Sequence, residues 1–282
     1  GCKVVKLSFD GGFSCPNRVN GSGGCIFCSG SYEFAGDRNK SLEEQYQEQR
    51  IMMDKKWPNA KYIAYFCSFT NTFDTLDNLK KRFEKVLSFD NVIGLSIGTR
   101  SDSISSECFE YLSKLNKRTF LTVELGLQSS FNRTLKYINR GHDIENFDSC
   151  VKKLKELNIN VVVHIIDGLP GETEDMMLDT IRHLNKLGIN GIKIHNLFVT
   201  LLGKMYEDNP FKLLEKDEYI DLLVKQIRIL KPSIVVHRLT GDPKKEDLIA
   251  PLWAVKKIDV LNGVVKKLKK DKAYQGIDYK EN

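Results

Sequence analysis

The sequence predicts an α/β fold, a partial (β/α)6-type barrel of parallel strands with a helical extension at its C-terminal end, and three observations carry that prediction. Short runs rich in β-branched residues alternate with amphipathic helical stretches about every 30 to 40 residues, the spacing of βαβ units with right-handed crossovers. The chain has 282 residues, 41% of them hydrophobic, which is enough to bury one sizeable core. Its apolar runs, such as Val161 to Ile166, fall far short of the roughly 20 residues that a helical bilayer span needs.

Taken in order, the strand-like runs are Lys3 to Leu7, Tyr62 to Phe66, Val92 to Ile97, Phe120 to Leu125, Asn160 to Ile166, Gly191 to His195 and Ser233 to His237. Helical patterns fill the intervals at 41–55, 76–87, 105–116, 144–157, 174–187 and 216–230. The clearest is Glu174 to Leu187, where Met177, Ile181 and Leu184 recur at i, i+4 and i+7 and Gly188 stands at the expected C′ position. No internal repeat, low-complexity tract or Pro/Ser-rich linker divides the chain. The simplest division is one barrel domain over residues 1–242 and a basic helical tail over 243–282. No stretch within the chain reads as a targeting segment, and whatever precedes Gly1 is unread.

The net charge is +6, a mild excess that the tail concentrates. Within residues 256–272, Lys256, Lys257, Lys266, Lys267, Lys269, Lys270 and Lys272 stand against only Asp259 and Asp271. Such a stretch suits a phosphate-rich partner, and equally a solvated lysine face on a terminal helix.

Seven cysteines without a secretory segment favour metal or catalytic use in a reducing, cytoplasmic compartment over a disulfide scaffold. Cys15, Cys25 and Cys28 form C-x9-C-x2-C in a loop that also holds Gly11, Gly12, Gly21, Ser22, Gly23 and Gly24. Cys108 and Cys150 sit among apolar neighbours and read as small core residues, whereas Cys67 adjoins a strand-end loop. The three-cysteine loop follows the first strand, on the face where parallel α/β folds gather their functional groups.

Three thiolates do not complete a tetrahedral zinc, and no fourth Cys or His lies close in sequence. They suit three irons of a 4Fe-4S cluster, whose fourth iron is left open for a ligand carrying amino and carboxylate groups, as S-adenosylmethionine does. A zinc site completed by a distant His142, His164 or His195 is the alternative.

At these residues the sequence resembles the radical S-adenosylmethionine superfamily. Phe27, just before the last cysteine, and the nine-residue gap resemble the branch that holds the Elongator catalytic subunit and the YtqA/YhcC-type proteins. Further motifs follow on successive strand ends: Ser68, Phe69, Thr70, Asn71 and Thr72; Gly98, Thr99, Arg100, Ser101 and Asp102; Glu124 to Ser129; Asn139 to Asp143; and His164 to Glu172. The Elongator relatives have Glu-Thr-Arg-Pro-Asp in the third-strand motif, so Gly98 and Ser101 depart from it. The resemblance implies S-adenosylmethionine contacts at Phe27, Ser68, Thr70, Glu124, Gln128, Arg140, Ile166 and Gly168. Gln128 would meet the ribose, Ile166 the adenine and Arg140 the methionyl carboxylate, which a guanidinium clamps well.

The stretch Val4 to Cys28, the Phe69 to Thr72 run, and His237 to Asp242 followed by Ala250 to Trp253 resemble the YtqA family, also called MnmL, over nearly the whole chain. That resemblance implies a tRNA-modifying enzyme acting on the wobble uridine in the anticodon loop. It would convert 5-carboxymethylaminomethyl-(2-thio)uridine to 5-aminomethyl-(2-thio)uridine by hydrogen abstraction with a 5′-deoxyadenosyl radical. A flavodoxin or ferredoxin-type donor would reduce the cluster, and the methyltransferase acting next is a further partner; no membrane is involved. Arg100, Lys193, His237 and Arg238 are candidates to hold the substrate carboxylate, and His164 and His195 lie at strand ends that can face the cavity. Two other readings stay open: a radical enzyme acting on another RNA, a peptide or a porphyrin-like molecule, and an RNA-binding module with a structural metal.

Overall fold

The structure, a computed structural model, describes residues 2–19, 21, 23–28, 35–200, 206–207 and 210–281; Gly1 and Ser22 lie outside them. By compactness the chain divides into two units, one of residues 1–24, 30–126 and 152–161, the other of residues 25–29, 127–151 and 162–282.

In the first unit β1 (Val4–Phe9), β2 (Lys61–Phe66), β3 (Val92–Thr99) and β4 (Phe120–Gln128) pair in parallel and in that order. Alternation along each strand divides the side chains between two faces. Leu7, Phe9, Tyr62, Ala64, Phe66, Leu95, Ile97, Leu121 and Val123 are fully buried on one face, where α2 (Leu42–Lys56) packs on β1 and α3 (Leu76–Leu87) on β3. The opposite face is polar and carries Lys6, Ser8, Tyr65, Ser96, Thr122 and Glu124. Between β1 and α2 lies the short α1 (Pro16–Val19), and α4 (Ser106–Asn116) precedes β4. Ser41, Thr75 and Ser105 cap α2, α3 and α4 with their side chains, and Ser41 and Glu44 complete a capping box.

Next in the chain come α5 (Asn132–Tyr137), α6 (Ile144–Glu156) and β5 (Asn160–Asp167). In the second unit β5 pairs in parallel with β6 (Gly191–Asn196). A two-residue β7 (Val199–Thr200) follows, then α8 (Lys216–Ile229) and β8 (Val235–Arg238), which pairs in parallel with β6. Val163, Ile165, Ile192 and Ile194 are buried on the helix-covered side, and His164, Ile166, Lys193 and His195 occupy the other. The connecting helix α7 (Glu174–Leu187) begins at a Thr173 cap and ends at Gly188 with φ of 62°, as the sequence pattern requires.

Each strand-like run in the sequence falls on a strand, and the longest correction is at β4, which continues through Gln128. Pattern reading missed α1, α5 and the antiparallel pairing of β7 with β9 (Leu248–Ala250), all too short to carry a periodicity. The lysine-rich stretch forms α9 (Lys257–Lys270), which packs on α8. Gly263 permits that approach, because a Cβ there would meet Ile220 Cδ1 at 2.5 Å. Among the described residues no helix is long and apolar enough to cross a membrane.

Candidate active site

The expected site residues fall into two groups, one in each unit. The first unit holds Cys15, Ser68, Thr70, Arg100 and Glu124. Cys15 ends the loop after β1, and its carbonyl accepts from Arg18 and Val19 N–H at 2.9 and 3.1 Å, which starts α1. That loop is held from several sides. Gln45, almost fully buried, accepts from Asp10 N–H and donates back to Asp10 O at 3.0 and 3.1 Å. Arg38 donates to Gly12 O and Phe13 O at 2.8 and 2.7 Å and stands over the Phe69 ring at 5.0 Å. Thr70 N–H reaches Ser14 O at 3.1 Å, so the strand-end motif bearing buried Ser68 and Thr70 is stitched to the residue before Cys15. Phe69 sits at φ of 58°, a strained position for a bulky residue and of the kind retained where function over-determines the backbone.

Two expected ligand-binding groups in this unit already have partners. Arg100 is buried and spans both Asp102 carboxylate oxygens at 2.8 and 2.6 Å, so its fork serves the turn after β3. Glu124, 1% exposed, is ion-paired with Lys6 and accepts from Ser96 Oγ at 2.7 Å. Lys6 was missed by sequence reasoning, although a charged residue inside the otherwise apolar run of β1 was its signal.

In the second unit Cys25 and Cys28 share one turn, closed by Cys28 N–H to Cys25 O at 3.0 Å, and Ile26 N–H bonds to Ile138 O at 3.1 Å. The buried Arg140 guanidinium donates to Cys25 Sγ at 3.6 Å. Phe27 and Ile26 pack on Leu135, Ile138, Leu169 and Leu197. Phe27, Gln128 and Ile166 then line one cavity of about 200 Å³ together with His164, His195, Asn196, Leu197 and Phe198. The His164 and His195 rings stack in its wall with centroids 5.6 Å apart. Gln128 has φ of 78° and Asn139, beside Arg140, φ of 52°, so both motif ends carry left-handed backbone outside glycine. The loop after Gln128 is anchored by Ser129, which bonds Glu172 and Phe131 N–H; burial pushes the Glu172 carboxyl above its ordinary range.

The other expected residues are not in that cavity wall. Gly168, at φ of 83°, lines a separate cavity of about 430 Å³ beside Leu214 and Phe211. Lys193 is buried beside His164 in the register of β5 with β6, and Arg238 is the register partner of Lys193. Arg238 pairs with Asp242 at 3.2 Å. The His237 ring covers Gly191, where a Cβ would come within 2.5 Å of it. Of the histidine and cationic candidates, His164 and His195 are thus the ones that line the cavity, where sequence reasoning leaned towards His237 and Arg238.

None of the seven cysteines forms a disulfide, and Cys108 and Cys150 are buried. Burial pushes the Cys108 thiol up to about 12, which keeps it inert, as expected of a core residue. Among the described residues no three His, Cys, Asp or Glu side chains form a group that could hold a metal ion. The donor chemistry nevertheless fits an iron–sulfur cluster with an adenosyl ligand: soft thiols at Cys15, Cys25 and Cys28, a guanidinium donating to Cys25, and an aromatic and aliphatic cavity lined by Phe27 of the Cys25 to Cys28 turn.

Comparisons with known proteins agree with this chemistry. Residues 14–184 match the radical SAM superfamily, and residues 189–270 match the radical SAM C-terminal domain. The uncharacterized protein YtqA of Bacillus subtilis (strain 168) is 44% identical, with 98% of this chain and 88% of that protein covered. Protein YhcC of Escherichia coli (strain K12) is 32% identical, with 90% and 83% covered. More distantly, a tRNA uridine(34) acetyltransferase of Methanocaldococcus infernus is 28% identical over 53% of this chain and 29% of that protein. The solved structure of Methanocaldococcus infernus Elp3 with an N-terminal deletion (1–46) superposes with a TM-score of 0.75 at 19% identity, covering 97% of this chain and 64% of that one. That likeness shows the fold class, the α/β partial barrel predicted from the alternation of strands and helices.

Proposed function

The chain belongs to the radical SAM superfamily and, within it, to the YtqA/YhcC-type family, and from that premise we propose that it modifies the wobble uridine of tRNA. It is a radical SAM enzyme, of a family that uses a 4Fe-4S cluster and S-adenosylmethionine. The proposed reaction converts 5-carboxymethylaminomethyl-(2-thio)uridine to 5-aminomethyl-(2-thio)uridine: after one hydrogen atom is taken from the glycyl methylene, the carbon radical gives up one electron to the one-electron donor system, and water hydrolyses the resulting imine to the aminomethyl base and a two-carbon oxo acid. When bound, the reduced cluster and S-adenosylmethionine supply a 5′-deoxyadenosyl radical, an oxidant strong enough to take hydrogen from the glycyl methylene of the modification.

The protein's own residues do the rest. Cys15, Cys25 and Cys28 are assigned to the irons. Phe27, Gln128 and Ile166 are assigned to the adenosyl half of the ligand, Arg140 to its carboxylate, and Ser68, Thr70, Glu124 and Gly168 to the remaining contacts. The observation that carries the reading is the single cavity in which Phe27, Gln128 and Ile166 stand next to the stacked His164 and His195. It sets an adenosine-compatible wall beside two imidazoles able to bond a carboxylate-bearing substituent. Lys193 adds a buried cation one register position away, and His237 and Arg238 lie on the neighbouring strand. The barrel domain, residues 1–242, would hold the chemistry, and the basic tail, residues 243–282, would track the phosphates of the anticodon arm. Kinship to a tRNA uridine(34) enzyme supports tRNA as the substrate. A flavodoxin or ferredoxin-type donor, a following methyltransferase and a cytoplasmic location complete the proposal.

The test is an anaerobic reaction of the reconstituted enzyme with dithionite and S-adenosylmethionine, with and without tRNA carrying the carboxymethylaminomethyl base. Deoxyadenosine and digested nucleosides are quantified together. The aminomethyl nucleoside is expected with intact protein and not with Cys28→Ala. Deoxyadenosine without any change in the tRNA would overturn the substrate and direct the search to other RNAs, peptides or porphyrin-like molecules.

A further inference from the structure

Behind the cavity wall, on the helix-covered side of β5, lies a pair of buried polar groups, each with one acceptor unmatched among the described residues. Asp167, the last residue of β5 and 2% exposed, accepts from Gln226 Nε2 of α8 at 2.9 Å, and Gln226 is itself fully buried. Asp167 Oδ2 and Gln226 Oε1 are both buried acceptors and, among the described residues, neither has a partner. Two unmatched acceptors on two groups already joined by one bond share one remedy, a single proton. A neutral carboxylic acid carries one O–H donor, and an amide oxygen is an acceptor.

We propose that Asp167 is held as the neutral acid, that its O–H donates to Gln226 Oε1 to close a cyclic acid–amide pair, and that this pair positions the β5 wall of the cavity. The alternative, an ionised carboxylate with an idle amide oxygen beside it, leaves two desolvated groups unmet, which the low local polarity makes costly. The surroundings favour the neutral form: burial pushes the Asp167 carboxyl up to about 8, and the charge of Glu172 adds to it. The titratable groups acting on Asp167 are Glu172 in the loop after β5 and Tyr219 on α8. Burial raises the Tyr219 phenol far above its ordinary range, and its hydroxyl is engaged with Leu239 O at 2.8 Å.

The position gives the pair its role. Asp167 follows the cavity residue Ile166, its carbonyl accepts from Leu197 N–H at 2.8 Å, and its register partner is Asn196. Ile166, Asn196 and Leu197 all line the cavity. The pair therefore clamps β5 to α8 directly behind the wall. Asp167 is a positioning residue, and its assignment to the cofactor pocket rests on the adenosyl reading of the cavity.

Infrared difference spectra, thermal unfolding and S-adenosylmethionine binding across pH test this on the full chain. In wild type a protonated-acid carbonyl band is expected at neutral pH, absent from Asp167→Asn and displaced to higher frequency in Gln226→Leu. Asn reproduces the neutral pair, since its amide N–H donates where the acid O–H did. The unfolded Asp ionises in the ordinary carboxylate range while the folded one keeps its proton to about 8. The folded state thus binds the extra proton, and wild-type stability relative to Asp167→Asn falls as pH rises through that window and levels off above it. Wild-type affinity for S-adenosylmethionine is expected to weaken several-fold above that pH, and that of Asp167→Asn to stay flat. Absence of the acid band, or a band unmoved in Gln226→Leu, overturns the acid–amide pair even if the Asn variant fails to fold. An acid band with equal pH profiles of binding in wild type and Asp167→Asn overturns the positioning role while leaving the adenosyl reading intact.

Discussion

The polar faces of the two units solve opposite problems. In the first unit the charges cancel one another: Glu124 is buried against Lys6 and Ser96, and Arg100 is closed onto Asp102. In the second unit the polar groups that meet the cavity are imidazoles and amides, His164, His195, Gln128 and Asn196, with no carboxylate among the described residues that line it. A face whose charges are matched internally behaves as scaffold, because ligand binding there would have to break pairs already made in a low-dielectric setting. A face lined by donors without acids favours an anionic group arriving from outside. Under the proposed function the difference favours the second unit, which also holds Cys25 and Cys28, for substrate recognition, and leaves the first as scaffold for the Cys15 loop.

The strongest way to break that contrast is Lys6→Ala. It removes the cation paired with the Glu124 carboxylate, whose side chain is fully buried. Removing one partner of a buried pair costs about 3–5 kcal/mol, and the low end applies because Lys6 keeps 30% of its side-chain exposure. Denaturant unfolding measures it, and Lys6→Met combined with Glu124→Gln should recover most of the loss. A cost below about 1 kcal/mol, the value of an exposed pair, would mean that the first face is as open as the second and that Glu124 is available to a ligand.

His195→Ala sharpens the other side. If the stacked histidines bond the substrate's acidic substituent, losing one charged hydrogen bond removes about 1.5–3 kcal/mol, so KM for tRNA should rise roughly ten- to hundredfold. The unfolding midpoint should hardly move, since the ring borders a cavity. A falling midpoint with unchanged KM would make the pair a packing element and erase the contrast between the two faces.

Much of this architecture was legible from residues because it is local. Gly188 ends α7 where the periodicity stops, and the C-x9-C-x2-C spacing marks the loop after β1 without reference to any contact. What was not legible depends on partners distant in the chain. Lys6 finds Glu124 118 positions away, Gln45 clamps Asp10 from a helix 35 positions on, and Arg38 grips the carbonyls of Gly12 and Phe13. Arg100 looked free to clamp a substrate because its partner, Asp102, reads as an ordinary turn residue. His164 and His195 are ordinary strand residues until register sets them side by side. The positive φ angles at Phe69 and Gln128 had no signal either, since neither is a residue type that favours the left-handed region, as Asn139 does.

The smallest expected effects lie in the tail, and there too the useful comparison is between matched and unmatched charge. Lys257 pairs with Asp242 at 3.1 Å and Lys267 with Asp221, so these two hold α9 in place. Lys266, Lys269, Lys270 and Lys272 are exposed, beside exposed Val265 and Tyr274. If this surface tracks phosphates, Lys269→Gln should weaken tRNA binding a few-fold, whatever the sequence of the anticodon loop. It should also reduce the slope of log affinity against log salt by roughly one contact's share, about 0.7 to 0.9. Lys267→Gln should leave that slope unchanged and instead lower the unfolding midpoint slightly, since an exposed pair contributes about 0–1 kcal/mol. Equal salt slopes for the two variants and the wild type would leave α9 as a solvated lysine face, and RNA contact would have to be sought nearer the cavity of the second unit.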